Sequence, residues 1–314
     1  MFRSLVAFAS LALSVVATSS SPTSAVRVVY TFTDGAYPEN VAVRPNGDLL
    51  INSLSNGRIY TLNPTSPNPS ARVLVQLTPD VASGFTGLTE YAPDKFAAIS
   101  GKFNLANFTT EEAAVWTFDA GRKTVTPKKV AGIPGAGVPN GLTTLGSVLL
   151  AADSSLGVVW GIDIRRGVAR KVAEDDALKA TVAGGHPLGV NGIRVGPGGV
   201  YFTNSNTQTL NKVSVRRDGS FKGNVSVVAH VQGVADDFTF GKDGRVWVTG
   251  LPTFLNVVHP DGKVDVRDVF VNEANPGAGN PTAAAFGRGS KAQEKVLYVV
   301  TSWGAVYAVD TTRI

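Results

Sequence analysis

The chain of 314 residues contains no cysteine. That absence excludes a disulfide framework, a thiol nucleophile and a thiolate metal site, and it leaves burial of apolar surface to hold the fold. Charge is sparse as well: 17% of residues are charged and 43% hydrophobic, a balance that supplies a large core and argues against disorder. The net charge of +5 is modest and no run of five basic residues occurs, so no nucleic-acid partner is expected. Long apolar stretches are missing too. The most extended, residues 5–17, is too short to cross a bilayer as a helix, and no membrane span is expected.

Catalytic signatures are equally scarce. There is no His-Glu-x-x-His, no Gly-x-Ser-x-Gly elbow, no Walker loop and no dinucleotide fingerprint. The three histidines, His186, His230 and His259, lack metal-site spacing, and a structural or surface role is expected for each. His186, in Gly184-Gly185-His186-Pro187, stands just ahead of one of the repeat positions described below, where it could overhang a channel mouth.

What is present begins with a basic start, Met1-Phe2-Arg3, followed by the apolar run and a small-residue site at Thr23-Ser24-Ala25. This pattern reads as a secretory signal peptide over residues 1–25, with Ala17 a competing cleavage site. A secreted or secretory-lumen location is therefore expected. Two sequons, Asn107-Phe108-Thr109 and Asn224-Val225-Ser226, are candidate glycosylation sites.

The rest of the chain repeats itself with a period of roughly fifty residues. Glu39-Asn40-Val41-Ala42-Val43, Pro139-Asn140-Gly141-Leu142, Val190-Asn191-Gly192-Ile193, Ala235-Asp236-Asp237-Phe238 and Asn280-Pro281-Thr282-Ala283 place a short polar residue ahead of an apolar strand. Gly84-Phe85-Thr86-Gly87-Leu88 supplies the missing unit. Six units of this length predict an all-β, six-bladed β-propeller of four-stranded antiparallel blades, filling residues 26–314 as one domain. With 34 glycines and 17 prolines, turns are plentiful. Residues 26–32 read as a strand without a partner in their own unit. They are expected to close the ring by pairing with the blade that contains residues 296–309, which removes both exposed edges. Residues 110–115 and 174–182 alone have helical composition, and both are expected in inter-strand loops.

In a propeller the polar repeat positions converge on one mouth of the central channel. Taking Glu39, Asn140, Asn191, Asp236 and Asn280 as equivalent, the first four offer two carboxylates and two amides from separate blades. Such a ring suits a hard divalent cation. It equally suits hydrogen bonding to a substrate, or proton transfer by a carboxyl of raised pKa. A plainer reading also exists, in which Asn-Gly and Asp-Asp are turn residues that satisfy backbone groups. Phe85, Phe238, Phe254 and Trp303 are candidates for an apolar wall, and each also fits ordinary core packing.

The order Glu39-Asn40-Val41-Ala42-Val43-Arg44, Asn191-Gly192-Ile193, Ala235-Asp236-Asp237-Phe238, Pro281-Thr282-Ala283-Ala284-Ala285-Phe286-Gly287 resembles the senescence marker protein/gluconolactonase superfamily over about residues 27–312. The resemblance implies one divalent metal (calcium, magnesium or zinc) held by Glu39, Asn191 and Asp236, with Asn140 contacting substrate. Asp237 stands where that family usually has Gly. The combination of leader and motifs is most similar to a fungal natural-product branch that includes hetero-Diels–Alderases joining a tropolone quinone methide to a humulene-type sesquiterpene. That likeness implies an apolar small-molecule substrate and no required cofactor. It makes Asp236 or Glu39 the acid, with Asn140, Asn191, Asp237, Phe238 and Trp303 binding substrate. A metal-dependent lactonase and a non-catalytic binding propeller remain as alternatives.

Overall fold

The computed structural model describes residues 25–183, 185–270 and 279–314. The expected leader lies, apart from Ala25, outside the described residues. Among these residues 24 strands form six four-stranded antiparallel sheets around a common axis. Blade 1 is β2 (Pro38–Val43), β3 (Leu49–Ser53), β4 (Arg58–Leu62) and β5 (Arg72–Gln76). Blade 2 is β6 (Gly84–Ala92), β7 (Lys95–Asn104), β8 (Thr109–Asp119) and β9 (Lys128–Gly132). Blade 3 is β10 (Pro139–Leu145), β11 (Val148–Asp153), β12 (Val158–Asp163) and β13 (Val168–Glu174). Blade 4 is β14 (Val190–Gly196), β15 (Gly199–Asn204), β16 (Thr209–Val215) and β17 (Phe221–His230). Blade 5 is β18 (Val234–Phe240), β19 (Val246–Leu251), β20 (Phe254–Val258) and β21 (Val264–Asp268). Blade 6 joins β22 (Pro281–Phe286), β23 (Val296–Thr301) and β24 (Ala305–Asp310) to β1 (Val26–Thr31).

The ring thus closes as the sequence predicts. β1 runs antiparallel to β24, from Val26 opposite Val309 to Thr31 opposite Ala305. Closure pairs the outer edge that blade 6 would otherwise expose.

The middle strands read as unbroken apolar runs because each is buried on both faces. Leu49 and Ile51 pack into a cluster shared with blade 6, while Leu50 between them packs toward blade 2 with Phe85 and Phe96. Leu149 and Ala151 face blade 2, whereas Leu150 and Ala152 face blade 4. The same alternation sends Val246 and Val248 toward blade 4 and Trp247 toward blade 6. One wedge of core therefore fills each junction between blades.

Around the axis a side chain also ties each blade to the next. Asn52 Nδ2 donates to Thr86 O, Thr86 Oγ1 to Pro139 O (2.7 Å), and Val195 N to Thr143 Oγ1 (3.2 Å). Ser205 Oγ donates to Ala235 O (2.6 Å), Thr249 Oγ1 to Thr282 O (3.1 Å) and Thr282 Oγ1 to Pro38 O (2.9 Å). Each such bond contributes about 1 kcal/mol net, but losing one partner leaves a buried group unsatisfied.

One expectation needs correction. Residues 110–115 are not a helical loop but part of β8, where Ala114 pairs with Ser100 and Glu111 with Lys102. Cross-strand pairing overrides the helix preference of Glu and Ala. Residues 174–182 do fall in an inter-strand loop, apart from Glu174 at the end of β13, and hold one short 3-10 turn, Asp176–Leu178, capped by Asp175 Oδ1 accepting from Ala177 N.

Candidate functional site

Every inner strand changes register just after its first residues: between Pro38 and Asn40, Phe85 and Leu88, Pro139 and Leu142, Val190 and Ile193, Ala235 and Phe238, and Pro281 and Ala283. Such a bulge frees residues from the ladder and re-aims their side chains. The residues so freed include Glu39, Thr86, Asn140, Asn191, Asp236 and Thr282. The equivalent position in blade 6 is therefore Thr282 and not Asn280, which precedes its strand at φ 60°.

The Asn-Gly pairs have a reason other than a turn. A Cβ on Gly141 would lie 2.4 Å from Asn191 O, and one on Gly192 would lie 2.5 Å from Asp237 Oδ1; Gly87, after Thr86, is as tightly placed, 2.3 Å from Asn140 O. Neighbouring inner strands approach too closely there for any side chain. Glycine is required by the convergence that brings the polar residues together.

Glu39, Asn140, Asn191 and Asp236 line one cavity of about 130 Å³, together with Tyr37, Thr86 and Ser205. Asn140 is near enough to Glu39, and Asn191 to Asp236, to favour each carboxylate's charged form. Asn191 Nδ2 donates to Ser205 Oγ at 3.0 Å. Burial and the charge of Asp237 push Glu39 up to about 7. Burial, then Glu39, then Asp237 raise Asp236 well above the ordinary carboxylate range. Neither carboxyl has an ion-pair partner among the described residues. Two repelling carboxyls in one cavity do not ionise together, so the pair retains a proton near neutrality. Burial and the same carboxyls raise Tyr37 as well, keeping its hydroxyl a donor.

Above this floor the walls are apolar: Leu54, Val138, Leu188, Val234 and Leu251. The rim is built by Phe103, Leu105, Phe108 and His186. The His186 Nδ1 accepts from Leu188 N at 3.3 Å, and its ring meets Phe108 edge-on at 6.3 Å. Burial lowers its pKa, so the imidazole is neutral.

Other expected site residues lie elsewhere. Asp237 is beneath the floor, bonded to Arg194 (2.6 Å) and to Asn40 Nδ2 (3.0 Å) from across the channel. Together these three close the channel under the site. Phe85 and Phe238 are fully buried in inter-blade core. Phe254 is not part of the lining, and Trp303 is 63% exposed in the turn after β23, outside it. His259 pairs with Asp265 on the outer surface (3.0 Å), and His230 ends an outer strand. Sequence reasoning set His186 beside the channel mouth, where it lies, but passed over Tyr37, Ser205 and the rim residues Phe103, Leu105 and Phe108. Tyr37 stands two residues before Glu39, a signal that was available. The rim residues leave the repeat altogether.

No family model matches the chain. Over 303 residues it is 25% identical to a "Putative hetero-Diels-Alderase" of a Phoma species, covering 87% of this chain and 85% of that protein. It is 26% identical over 339 residues to a second protein of that name from Sarocladium schorii, covering 91% and 83%. Among solved structures, a gluconolactonase from Xanthomonas campestris superposes with a TM-score of 0.64 at 15% identity, covering 90% of this chain and 88% of its own. That likeness is one of fold.

Proposed function

We propose that this protein is an enzyme of fungal secondary metabolism that catalyses a hetero-Diels–Alder coupling, joining a quinone methide, such as a tropolone-derived one, to a terpene alkene. One observation carries the reading: two buried carboxyls without a cationic partner, Glu39 and Asp236, share a cavity whose walls are apolar. Similarity to two proteins named for this reaction supports it.

The chemistry divides in two. The protonated member of the pair donates to the hydroxyl of a carbinol precursor, the C–O bond breaks and water leaves. The ionised member takes the acidic ring O–H proton, so the product is a neutral oxadiene. The alkene then adds across it: one C–O and one C–C bond form, and nothing is lost. The protein contributes orientation in a dry space, and Tyr37 O–H is held as a donor for charge developing on the oxadiene oxygen. The test uses the carbinol and a sesquiterpene alkene. Asp236→Asn is expected to slow adduct formation by roughly 100-fold or more, the usual weight of a positioned acid. Wild-type rates in that variant would remove Asp236 as the acid, whereas adduct formation no faster than without the protein would favour a binding propeller.

A second reading, a divalent-metal-dependent lactonase, is favoured by the donor set. Glu39, Asn191 and Asp236 bring oxygen atoms from three blades to one cavity without a neutralising cation, which fits calcium, magnesium or zinc. Bound there, such an ion would polarise a lactone carbonyl. A large thermal upshift with calcium or zinc, lost in Glu39→Gln, is the result that would favour the hydrolase. We place the protein in the secretory pathway, with Asn107 and Asn224, both exposed, as glycan acceptors.

A further inference from the structure

One hairpin breaks the symmetry of the ring. The middle strands of the other blades are five to seven residues long. β7 has 10 residues and β8 has 11. The excess stands beyond the mouth as three further rungs, Lys102 opposite Glu111, Phe103 opposite Thr110 and Asn104 opposite Thr109. A register break between Ser100 and Lys102, with Glu112 at φ 54°, marks its base. A bulge in that place bends and twists a hairpin, here toward the channel, because Phe103, Leu105 and Phe108 line the cavity.

The tip has no core to serve. Leu105 is 51% exposed. Phe108 sits at φ 52°, a left-handed conformation that bulky residues rarely adopt. It is held there by Ser155 Oγ donating to its carbonyl (2.8 Å) and by the His186 ring. A strained aromatic aimed into a cavity is a feature of ligand clamps. The cavity itself, about 130 Å³, is well below the roughly 300 Å³ at which pockets begin to hold drug-sized ligands. Two reactants overfill that space, so one of them must extend onto the rim.

We propose that the β7–β8 arm is the hydrocarbon subsite: the alkene partner lies against Phe103, Leu105 and Phe108, while the oxygenated partner reaches down to Glu39 and Asp236. This rests on the cycloaddition reading above. The arm then sets which hydrocarbon is accepted, and the carboxyl floor sets the reaction.

Two measurements decide it. In steady-state kinetics, Leu105→Ser and Phe108→Ser should raise KM for the alkene by roughly tenfold, the affinity of one buried apolar side chain, and leave KM for the carbinol within about twofold. Because the chain has no cysteine, Leu105→Cys offers a unique point for a polarity-sensitive fluorophore. Titrated with farnesol, the labelled protein should give a saturable blue shift that gluconolactone does not produce and that added Phe108→Ser weakens. No shift, together with an unchanged alkene KM in an active enzyme, would overturn the arm and leave the cycloaddition intact. A saturable farnesol shift in a protein that forms no adduct would do the reverse.

Discussion

Glu39 is disfavoured as an anion from two sides, by loss of water and by Asp237 beneath it. Raised from 4.5 to about 7, its carboxyl binds protons more tightly folded than unfolded. Its contribution to stability is therefore fully present below 4.5 and disappears as pH rises toward 7, with Asp236 acting in the same sense. The wild-type melting temperature should fall between pH 5 and pH 8, and Glu39→Gln should flatten that decline. An identical pH profile in the variant would mean that Glu39 ionises as freely folded as unfolded. Asp237, buried beneath it, has a cationic partner where Glu39 has none. Its pairing with Arg194 keeps a buried negative charge in place, and Arg194→Ala should destabilise by about 3–5 kcal/mol because that charge is then uncompensated. The four cavity residues were legible in the sequence because they recur in one register. The role of Asp237 was not, because its neighbour Asp236 shares its type and the Arg194 guanidinium that decides the matter comes from another blade.

At the scale of elements, the bulged start of the inner strand is the unit that builds the site. The bulge turns one polar side chain inward, and a following glycine lets the next strand close up. Gly141→Ala places a methyl group 2.4 Å from the Asn191 carbonyl, with backbone of Gly192 and Ile193 within 3.0 Å. It should cost about 1–3 kcal/mol in a urea titration, the usual penalty of overpacking. Gly132→Ala, in a strand of the same ring with nothing within 4 Å, should stay within about 0.5 kcal/mol. Equal effects would show that close approach is not what those glycines serve. In the sequence Asn-Gly also admitted a plainer reading as a turn, since local chemistry is the same whether glycine faces solvent or a neighbouring strand. β8 was misread for a related reason: Thr-Thr-Glu-Glu-Ala-Ala carries no alternation, and only its partner β7 makes it a strand.

The whole molecule depends on a join between residues near opposite ends of the chain. The period made six blades legible, because each blade repeats one burial pattern. The arm on blade 2 stayed invisible, since departure from a repeat resembles noise until something lies beneath it. The closing strand was legible by arithmetic, one strand too many before the first unit and a blade short of one at the end. Its energetic weight is now clear. Val29 and Phe32 are buried in the wedge between blades 6 and 1 with Val41, Tyr60 and Val306. Thr282 ties blade 6 to Pro38 across the same seam. Deleting residues 26–31 would uncover that wedge and leave β24 as an open edge, a template for pairing with other chains. Burial of one large apolar side chain contributes about 1.5–3 kcal/mol, a sizeable fraction of the roughly 5–15 kcal/mol by which a domain is stable. The truncated chain should melt well below the full one and show concentration-dependent association by light scattering. Substituting Val28, on the exposed face of the same strand, by Thr should do neither. If the truncated protein stayed monomeric with an unchanged melting point, the seam would be held by the inner strands alone, and β1 would be an ornament to the ring and not its lock.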